Sequence, residues 1–351
     1  MAKIPRWFKI PLLMLLVAIL AVLTVGFVYE QVGRAHDARN LPPRIGRAVN
    51  VNGRSMNLYC SGEGTPTVIF ESGGDEPGYS WLPVQPKVAQ FTRACWYDRA
   101  GIGWSDPPPQ PRTSASITGD LHELLRAAGE KPPYVLVGAS VGGEYVRVFA
   151  ARFPAEVAGM VLVDSSHPDQ HEPAFMLGPM NRMSSTERRL ICAATPLAVR
   201  FGLLRFLLPR SRQSSATPGF TAEEARILNT LEDQPRSVAA AGEQSCAATR
   251  GGAVIEEGGT GNPEVDGAAR RAGILDDRPL VVLTAGRYFA PDDPLMAKEA
   301  ANFHDVWVHQ LQASLARLST RGRQIVVENA GHVIEYDAPD RVVDAVRDVV
   351  Q

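Results

Sequence analysis

The sequence has no excess of charge of either sign: 36 Lys+Arg stand against 38 Asp+Glu, a formal net charge of −2. Outside the extreme N-terminus the basic residues do not cluster, and the arginines are interspersed with acids. The electrostatic footprint of a nucleic-acid-binding surface is therefore missing. Cysteine is scarce. Cys60, Cys95, Cys192 and Cys246 fall at spacings that match no zinc pattern. His167 and His171 flank Pro168 and Asp169 without a supporting cluster of cysteine or glutamate, so a metal reading there lacks its other ligands, and no metal site is expected. No internal repeat is visible, and long apolar runs are absent with one exception.

The exception is Ile10 to Tyr29, which is uncharged, apolar and about long enough to span a bilayer as a helix. Lys3, Arg6 and Lys9 precede it, and Trp7, Phe8, Phe27 and Tyr29 sit near its ends. Positive charge on the N-terminal side keeps that side in the cytoplasm. Residues 1–30 therefore read as a signal anchor, with the rest of the chain on the extracytoplasmic side, as for a bacterial inner-membrane protein. A cleaved signal peptide, giving a secreted protein, is the competing reading. Its apolar region is usually shorter, and no small-x-small cleavage site follows Gly26. Export permits disulfides. Cys192 and Cys246 share one inserted region and are the first pair to test; four small buried or free thiols are the alternative.

Residues 31–44 read as a polar linker ending in Pro42-Pro43. Beyond it β and α patterns alternate. Strands are expected over Ser55 to Cys60, Thr67 to Glu71, Ala94 to Asp98, Tyr134 to Ala139, Gly159 to Asp164, Pro279 to Ala285 and Gln324 to Glu328. Ser114 to Ala128 has a helical period, with Ile117, Leu121, Leu124 and Leu125 on one face, and Pro339 to Val350 is a closing helix. This alternation argues for a mostly parallel sheet covered on both faces. It stops across residues 168–272, where Ser185 to Arg205 and Thr221 to Leu231 read as helices and Arg250 to Gly267 as a glycine-rich loop. The expected organisation is an α/β core in two parts, 45–167 and 273–351, interrupted by a mainly helical cap.

Chemistry concentrates at Ser140. The run Tyr134-Val135-Leu136-Val137-Gly138-Ala139-Ser140-Val141-Gly142-Gly143 is an apolar strand ending in Gly-x-Ser-x-Gly, followed by a helix-compatible segment. That is the strand–turn–helix context of a nucleophile elbow. A serine hydroxyl needs a base, and the base an acid to orient it. His332, just past the last apolar strand, falls at the same sheet edge and is the candidate base. Two places could supply the acid: Asp164, at the end of its strand, or Asp292/Asp293, in a loop past the strand Leu280 to Ala285. Both keep the chain order serine, acid, histidine. Oxyanion donors are expected from Val141 N–H and from the loop Ser72-Gly73-Gly74-Asp75, with Gly74 first and Asp75 close behind.

Phe70-Glu71-Ser72-Gly73-Gly74, Tyr97-Asp98-Arg99-Ala100-Gly101-Ile102-Gly103-Trp104-Ser105, the segment around Ser140 and Gly331-His332 together resemble the α/β-hydrolase fold superfamily across roughly residues 45 to 350. The resemblance implies an eight-stranded sheet flanked by helices. It makes Asp98 and Arg99 structural parts of a loop that shapes the site. It also weighs on the acid. Members commonly carry an Asp in a Gly-x-x-Asp pattern after the seventh strand, but here Gly286 is followed by Arg287, Tyr288 and Phe289. That departure moves the expected acid to Asp164, which resembles an alternative acid position in some members. The implied activity is cofactor-free serine hydrolysis of an ester or related acyl compound, in the manner of a carboxylesterase or lipase. Other serine-elbow chemistry, such as C–C bond hydrolysis or perhydrolysis, and a non-catalytic binding role on the same fold remain open.

Overall fold

The computed structural model describes residues 6–108, 112–170, 185–207, 217–234, 237, 240, 267, 271, 273–288 and 294–351. Helix α1 runs over Arg6–Asn40. It continues eleven residues past the apolar run, to Asn40, so most of the stretch expected as a linker is helical. Glu30 and Arg34 support this extension as an i,i+4 ion pair at 2.8 Å. The helix stops short of Pro42, because proline disfavours helical backbone in the residue before it.

Eight strands follow: β1 (Arg47–Val51), β2 (Arg54–Ser61), β3 (Thr67–Glu71), β4 (Ala94–Tyr97), β5 (Tyr134–Ala139), β6 (Val157–Val163), β7 (Leu280–Ala285) and β8 (Gly322–Val327). They form one sheet in the order β1-β2-β4-β3-β5-β6-β7-β8. β1 and β2 run antiparallel to their neighbours, and the pairs from β4 through β8 are parallel. β1 escapes the sequence reading because only Val49 and Val51 are buried in it. The core helices are α2 (Ser114–Ala128) and α3 (Gly142–Arg152), and the closing helix is Pro339–Val350. Alternate residues of the central strands feed two apolar clusters, one on each face. Phe70, Val137 and Val163 pack towards the closing helix through Val342 and Val346. Ile69, Leu136 and Leu162 pack towards α2 and α3 through Leu121, Leu124, Val146 and Phe149. Every central strand is thus buried on both sides, which is why each reads as a continuous apolar run.

After β6 the described helices are α4 (Ser185–Arg200), α5 (Leu203–Leu207) and α6 (Ala222–Glu232). The single helix expected over 185–205 is broken at Gly202, which adopts φ +70°. Much of the expected Arg250–Gly267 loop lies outside the described residues. One further helix, α7 (Pro294–Val306), precedes β8, and a π-helical segment over Trp307–Gln312 continues it; the closing helix, Pro339–Val350, is α8.

The structure forms a disulfide where the sequence reading did not look for one, between Cys60 and Cys95. The two cysteines are direct cross-strand partners in the antiparallel β2–β4 ladder. Register, which spacing does not reveal, brings them together. Both sulfurs are oxidised, so neither can serve as a thiolate ligand beside the adjacent Glu130. Cys246 and the side chain of Cys192 lie outside the described residues. The bridge spans a sequence separation of 35, and chain-entropy reasoning gives it about 3–4 kcal/mol. Under denaturing, non-reducing alkylation, Cys60 and Cys95 should stay unlabelled. The Cys60→Ala/Cys95→Ala variant should unfold at a clearly lower urea concentration than the oxidised parent.

Candidate active site

The turn after β5 places Ser140. Its backbone sits at φ +51°, a left-handed conformation costly for a non-glycine residue. Ser140 N–H bonds Val163 O at 3.0 Å, and Ser140 C=O accepts from Gly143 and Ser166 N–H, so both ends of the strained residue are held. Two glycines make the turn possible by leaving no side chain. A Cβ on Gly138 would lie 2.6 Å from Gly142 O, and one on Gly142 would lie 2.4 Å from Ser72 O. Strand, turn and helix α3 therefore close on one another only without those atoms.

β6 lies beside β5 and ends one residue before Asp164, and β8 precedes the loop that carries His332. The three side chains meet at the carboxyl edge of the sheet. His332 Nδ1 is 2.6 Å from Asp164 Oδ2, and His332 Nε2 is 3.0 Å from Ser140 Oγ. Asp164 is buried and takes φ +39°. Its other oxygen, Oδ1, accepts from Ala285 N–H at 3.0 Å and from Trp307 Nε1–H at 2.8 Å. The carboxylate is thus pinned from β7 and from the π-helical segment, and its remaining oxygen faces the imidazole. Asp292 and Asp293 lie outside the described residues. After β7 the chain instead places Arg287, which donates to Asp337 Oδ2 at 2.8 Å. The same oxygen accepts Gly331 N–H at 2.7 Å. Arg287 therefore fixes the backbone next to His332 through Asp337.

The loop after β3 lies against the serine, since a Cβ on Gly73 would come 3.5 Å from that of Ser140. Arg99 organises it from behind. This buried guanidinium pairs with Glu71 Oε1 at 2.6 Å, donates to Ser72 O at 2.7 Å, and also donates to the carbonyls of Gly73 and Gly74. In a planar trans peptide the N–H points opposite the preceding C=O. Drawing the Gly73 carbonyl to Arg99 turns Gly74 N–H to the other side. Gly73 N–H is taken by Glu76 Oε2 at 3.1 Å. Beside Gly74 there is open space. Val141, at the start of α3, is partly exposed next to Ser140. Asp98 is wholly buried, accepting from Gly78 N–H, Trp104 N–H and the Asn57 amide, and it braces the following turn without reaching the serine.

The model of the alpha/beta hydrolase family matches residues 68–345. The chain belongs to that family. Among curated proteins, this alpha/beta hydrolase is 28% identical over 165 residues to an uncharacterised protein of Bacillus subtilis, covering 46% of this chain and 50% of that one. It is 23% identical over 301 residues to an AB hydrolase superfamily protein of Gibberella zeae, covering 82% and 86%. The chain spans half or less of the length of the relatives matched first. Among solved structures, a thermophilic esterase from Thermogutta terrifontis superposes with a TM-score of 0.54 at 20% identity, covering 87% of this chain and 97% of that one. At that identity the likeness shows the fold.

Three neighbours of this alpha/beta hydrolase's candidate site escape the sequence reading. Trp307 could not be placed because its contact with Asp164 depends on a π-helical register. Glu76 and Glu335 read as ordinary polar positions, yet Glu335 is buried and Glu76 half-buried beside His332. Glu76 is raised above the usual carboxylate range by desolvation and by the neighbouring charge of Asp75. Glu335 is raised to about 8, first by burial and then by Glu76, and one of its oxygens has no hydrogen-bond partner. His332 is raised above its ordinary value, chiefly by its hydrogen bond to Asp164, although 56% of its side-chain surface remains open. Three other described histidines are engaged elsewhere. His167 holds Ser314 Oγ at 2.7 Å and Asp169 N–H at 3.0 Å with its two ring nitrogens, His122 faces Glu156, and His304 faces Gly286 O. His171 lies outside the described residues.

The Glu335 shift has a stability consequence. Its folded value of about 8 lies above the roughly 4.3 of an unfolded glutamate. Below the unfolded value both states are protonated and burial carries no electrostatic penalty. Between the two values the unfolded state releases its proton while the folded state keeps it, so stability falls as pH rises from roughly 4.3 and the loss is complete above about 8, where the folded state holds an unpaired buried charge. Glu335→Gln should therefore raise the melting temperature by several degrees at pH 9 and leave it nearly unchanged at pH 4. Scanning calorimetry at the two pH values checks this.

Proposed function

We propose that this chain is a serine hydrolase that cleaves an ester or related acyl compound. The observation that carries the proposal is the hydrogen-bonded line from Asp164 through His332 to Ser140, at 2.6 and 3.0 Å. In this reading Ser140 Oγ attacks the acyl carbon while its proton passes to His332 Nε2. Asp164 accepts from Nδ1–H, which fixes the tautomer with a free lone pair on Nε2 and stabilises the imidazolium that forms. The negative charge on the carbonyl oxygen is met by Val141 and Gly74 N–H. The acyl–oxygen bond then breaks as imidazolium protonates the leaving alkoxide, leaving an acyl-enzyme. Water attacks that ester as it gives a proton to His332, and the imidazolium then protonates Ser140 Oγ as the acyl–Oγ bond breaks, releasing the acid and restoring the serine. No redox step and no cofactor enter this sequence.

The reading extends to place. One described helix, Ile10–Asn40, is long and apolar enough to cross a membrane. With Lys3, Arg6 and Lys9 before it, we assign it as an uncleaved anchor with the hydrolase domain outside the cytoplasm. The Cys60–Cys95 disulfide fits an oxidising compartment. The helices after β6 serve as a cap over the carboxyl edge of the sheet, where acyl substrates are selected.

A fluorophosphonate probe should label the folded chain and lose its target in Ser140→Ala; a wild-type chain that resists labelling would sink the assignment. With p-nitrophenyl esters, Asp164→Asn should lower kcat by about 10³–10⁴-fold. The base works only when neutral, so activity falls as pH drops through the His332 value. Asp164 raises that value, so the residual activity of Asp164→Asn should show its acid limb at lower pH than wild type. An unmoved limb would place the orienting acid elsewhere.

A further inference from the structure

Glu30 is the first charged residue after Lys9, and its side chain is only 2% exposed. It is covered by a residue distant in sequence. Arg205 of α5 donates from Nε to Glu30 Oε2 at 2.9 Å and from its terminal nitrogen to Asp37 Oδ2 at 2.7 Å. Arg34 completes the cluster on Glu30 Oε1. The Arg205 side chain is itself 6% exposed. One guanidinium thus joins two turns of α1 to the helices after β6, and a buried charge set of this kind is costly to pull apart. The backbones meet just as closely. A Cβ on Gly26 would lie 2.5 Å from Phe201 O, and Gly202 packs against Tyr29.

These contacts set a level. Gly26 lies three residues before Tyr29, the end of the apolar run, so at the helical rise Phe201 sits about 5 Å inside that end. Around it the α4–α5 segment carries large exposed apolar side chains: Leu190, Ile191, Leu197, Leu203, Phe206 and Leu207, with Phe206 exposed by 77%. A cleft of about 390 Å³ between α1 and α4 has Phe27 and Val199 in its walls and Arg34 and Arg200 beside them. Apolar groups at the depth of the last turn of a span, with guanidiniums next to them, match the acyl and phosphate layers of a bilayer surface.

We propose that the α4–α5 corner is a membrane-surface element, seated in the headgroup boundary at the C-terminal end of α1 and clamped there by Arg205 on Glu30 and Asp37. This rests on the reading of α1 as a span. The occupant of the exposed face is lipid. The corner belongs to the segment inserted after β6, so the hydrolase domain stands at a fixed height above the membrane, and amphiphilic acyl compounds reach it from the bilayer surface.

The experiment uses the full chain reconstituted in vesicles of mixed zwitterionic and anionic phospholipid. Flotation of the wild-type chain tests the span by itself. Phe206→Trp then adds a reporter at an exposed position, read as the tryptophan signal gained over wild type in lipids brominated near the headgroup or near the chain end. The gained signal should be blue-shifted and quenched more by bromine near the headgroup. Adding Arg205→Met should weaken that quenching roughly twofold or more, and the charge exchange Glu30→Arg/Arg205→Glu should restore part of it. A chain that fails to float removes the span and the proposal together. A chain that floats while the introduced tryptophan stays unquenched overturns the corner and leaves the span standing. Shielding from lipid together with cross-linking into dimers assigns the face to a second copy instead, and quenching indifferent to Arg205→Met overturns the clamp.

Discussion

A single hydrogen bond, His332 Nδ1 to Asp164 Oδ2, organises the candidate site, and the fold is arranged so that it can form. The two residues are 168 positions apart, and neither is near Ser140 in sequence. They meet because β5, β6, β7 and β8 are consecutive neighbours in a parallel sheet, so the loops leaving these strands emerge at one edge. Buried apolar contacts on both faces hold that order. The strain at Ser140 and Asp164, both at positive φ, is sustained by the same packing, because neither turn can relax without separating strands from helices. The apolar core therefore acts on the chemistry through geometry, by fixing three loop positions to within hydrogen-bond reach.

Charge around the site is distributed in a way that apolar packing alone does not explain. Arg99 and Glu71 form a buried pair whose energetic merit lies less in the pair than in what the guanidinium does with its other hydrogens: it gathers three successive carbonyls of the loop facing the serine. A lysine could not hold that many acceptors in one plane. On the other side, Glu76 and Glu335 bring carboxyls into the same low-dielectric surroundings without cationic partners of equal strength, and desolvation raises both. The imidazole between these groups feels Asp164 directly and the two glutamates at longer range.

The parts of this arrangement that depend on strand ends are visible in the sequence. Ser140 and Asp164 each follow a continuous apolar run, as a buried parallel strand writes itself, and His332 follows the shorter run Ile325-Val326-Val327 of the edge strand β8. What depends on register or on long side chains is not visible. The Cys60–Cys95 pair requires knowing that β2 and β4 are antiparallel and in which phase. Trp307 reaches Asp164 from a π-helical turn, a deviation that no apolar period announces. Glu76 and Glu335 look like surface carboxylates because burial of a polar residue is decided by its neighbours. Helix α1 outruns the apolar stretch because its last turns are held by Arg205, far along the chain. The expected boundary followed composition, while the helix follows a tertiary contact.

Arg287, and its tie through Asp337 to Gly331, carries one further consequence. A basic residue rather than an acid follows β7, and Asp164 supplies the carboxylate that meets His332. The histidine loop is anchored from β7 by Arg287 instead, so a substitution there reaches the imidazole through Asp337 and Gly331 without touching any of the three meeting side chains. For anyone reshaping this alpha/beta hydrolase, Arg287 and Asp337 are therefore positions to keep, although neither touches Ser140 or His332.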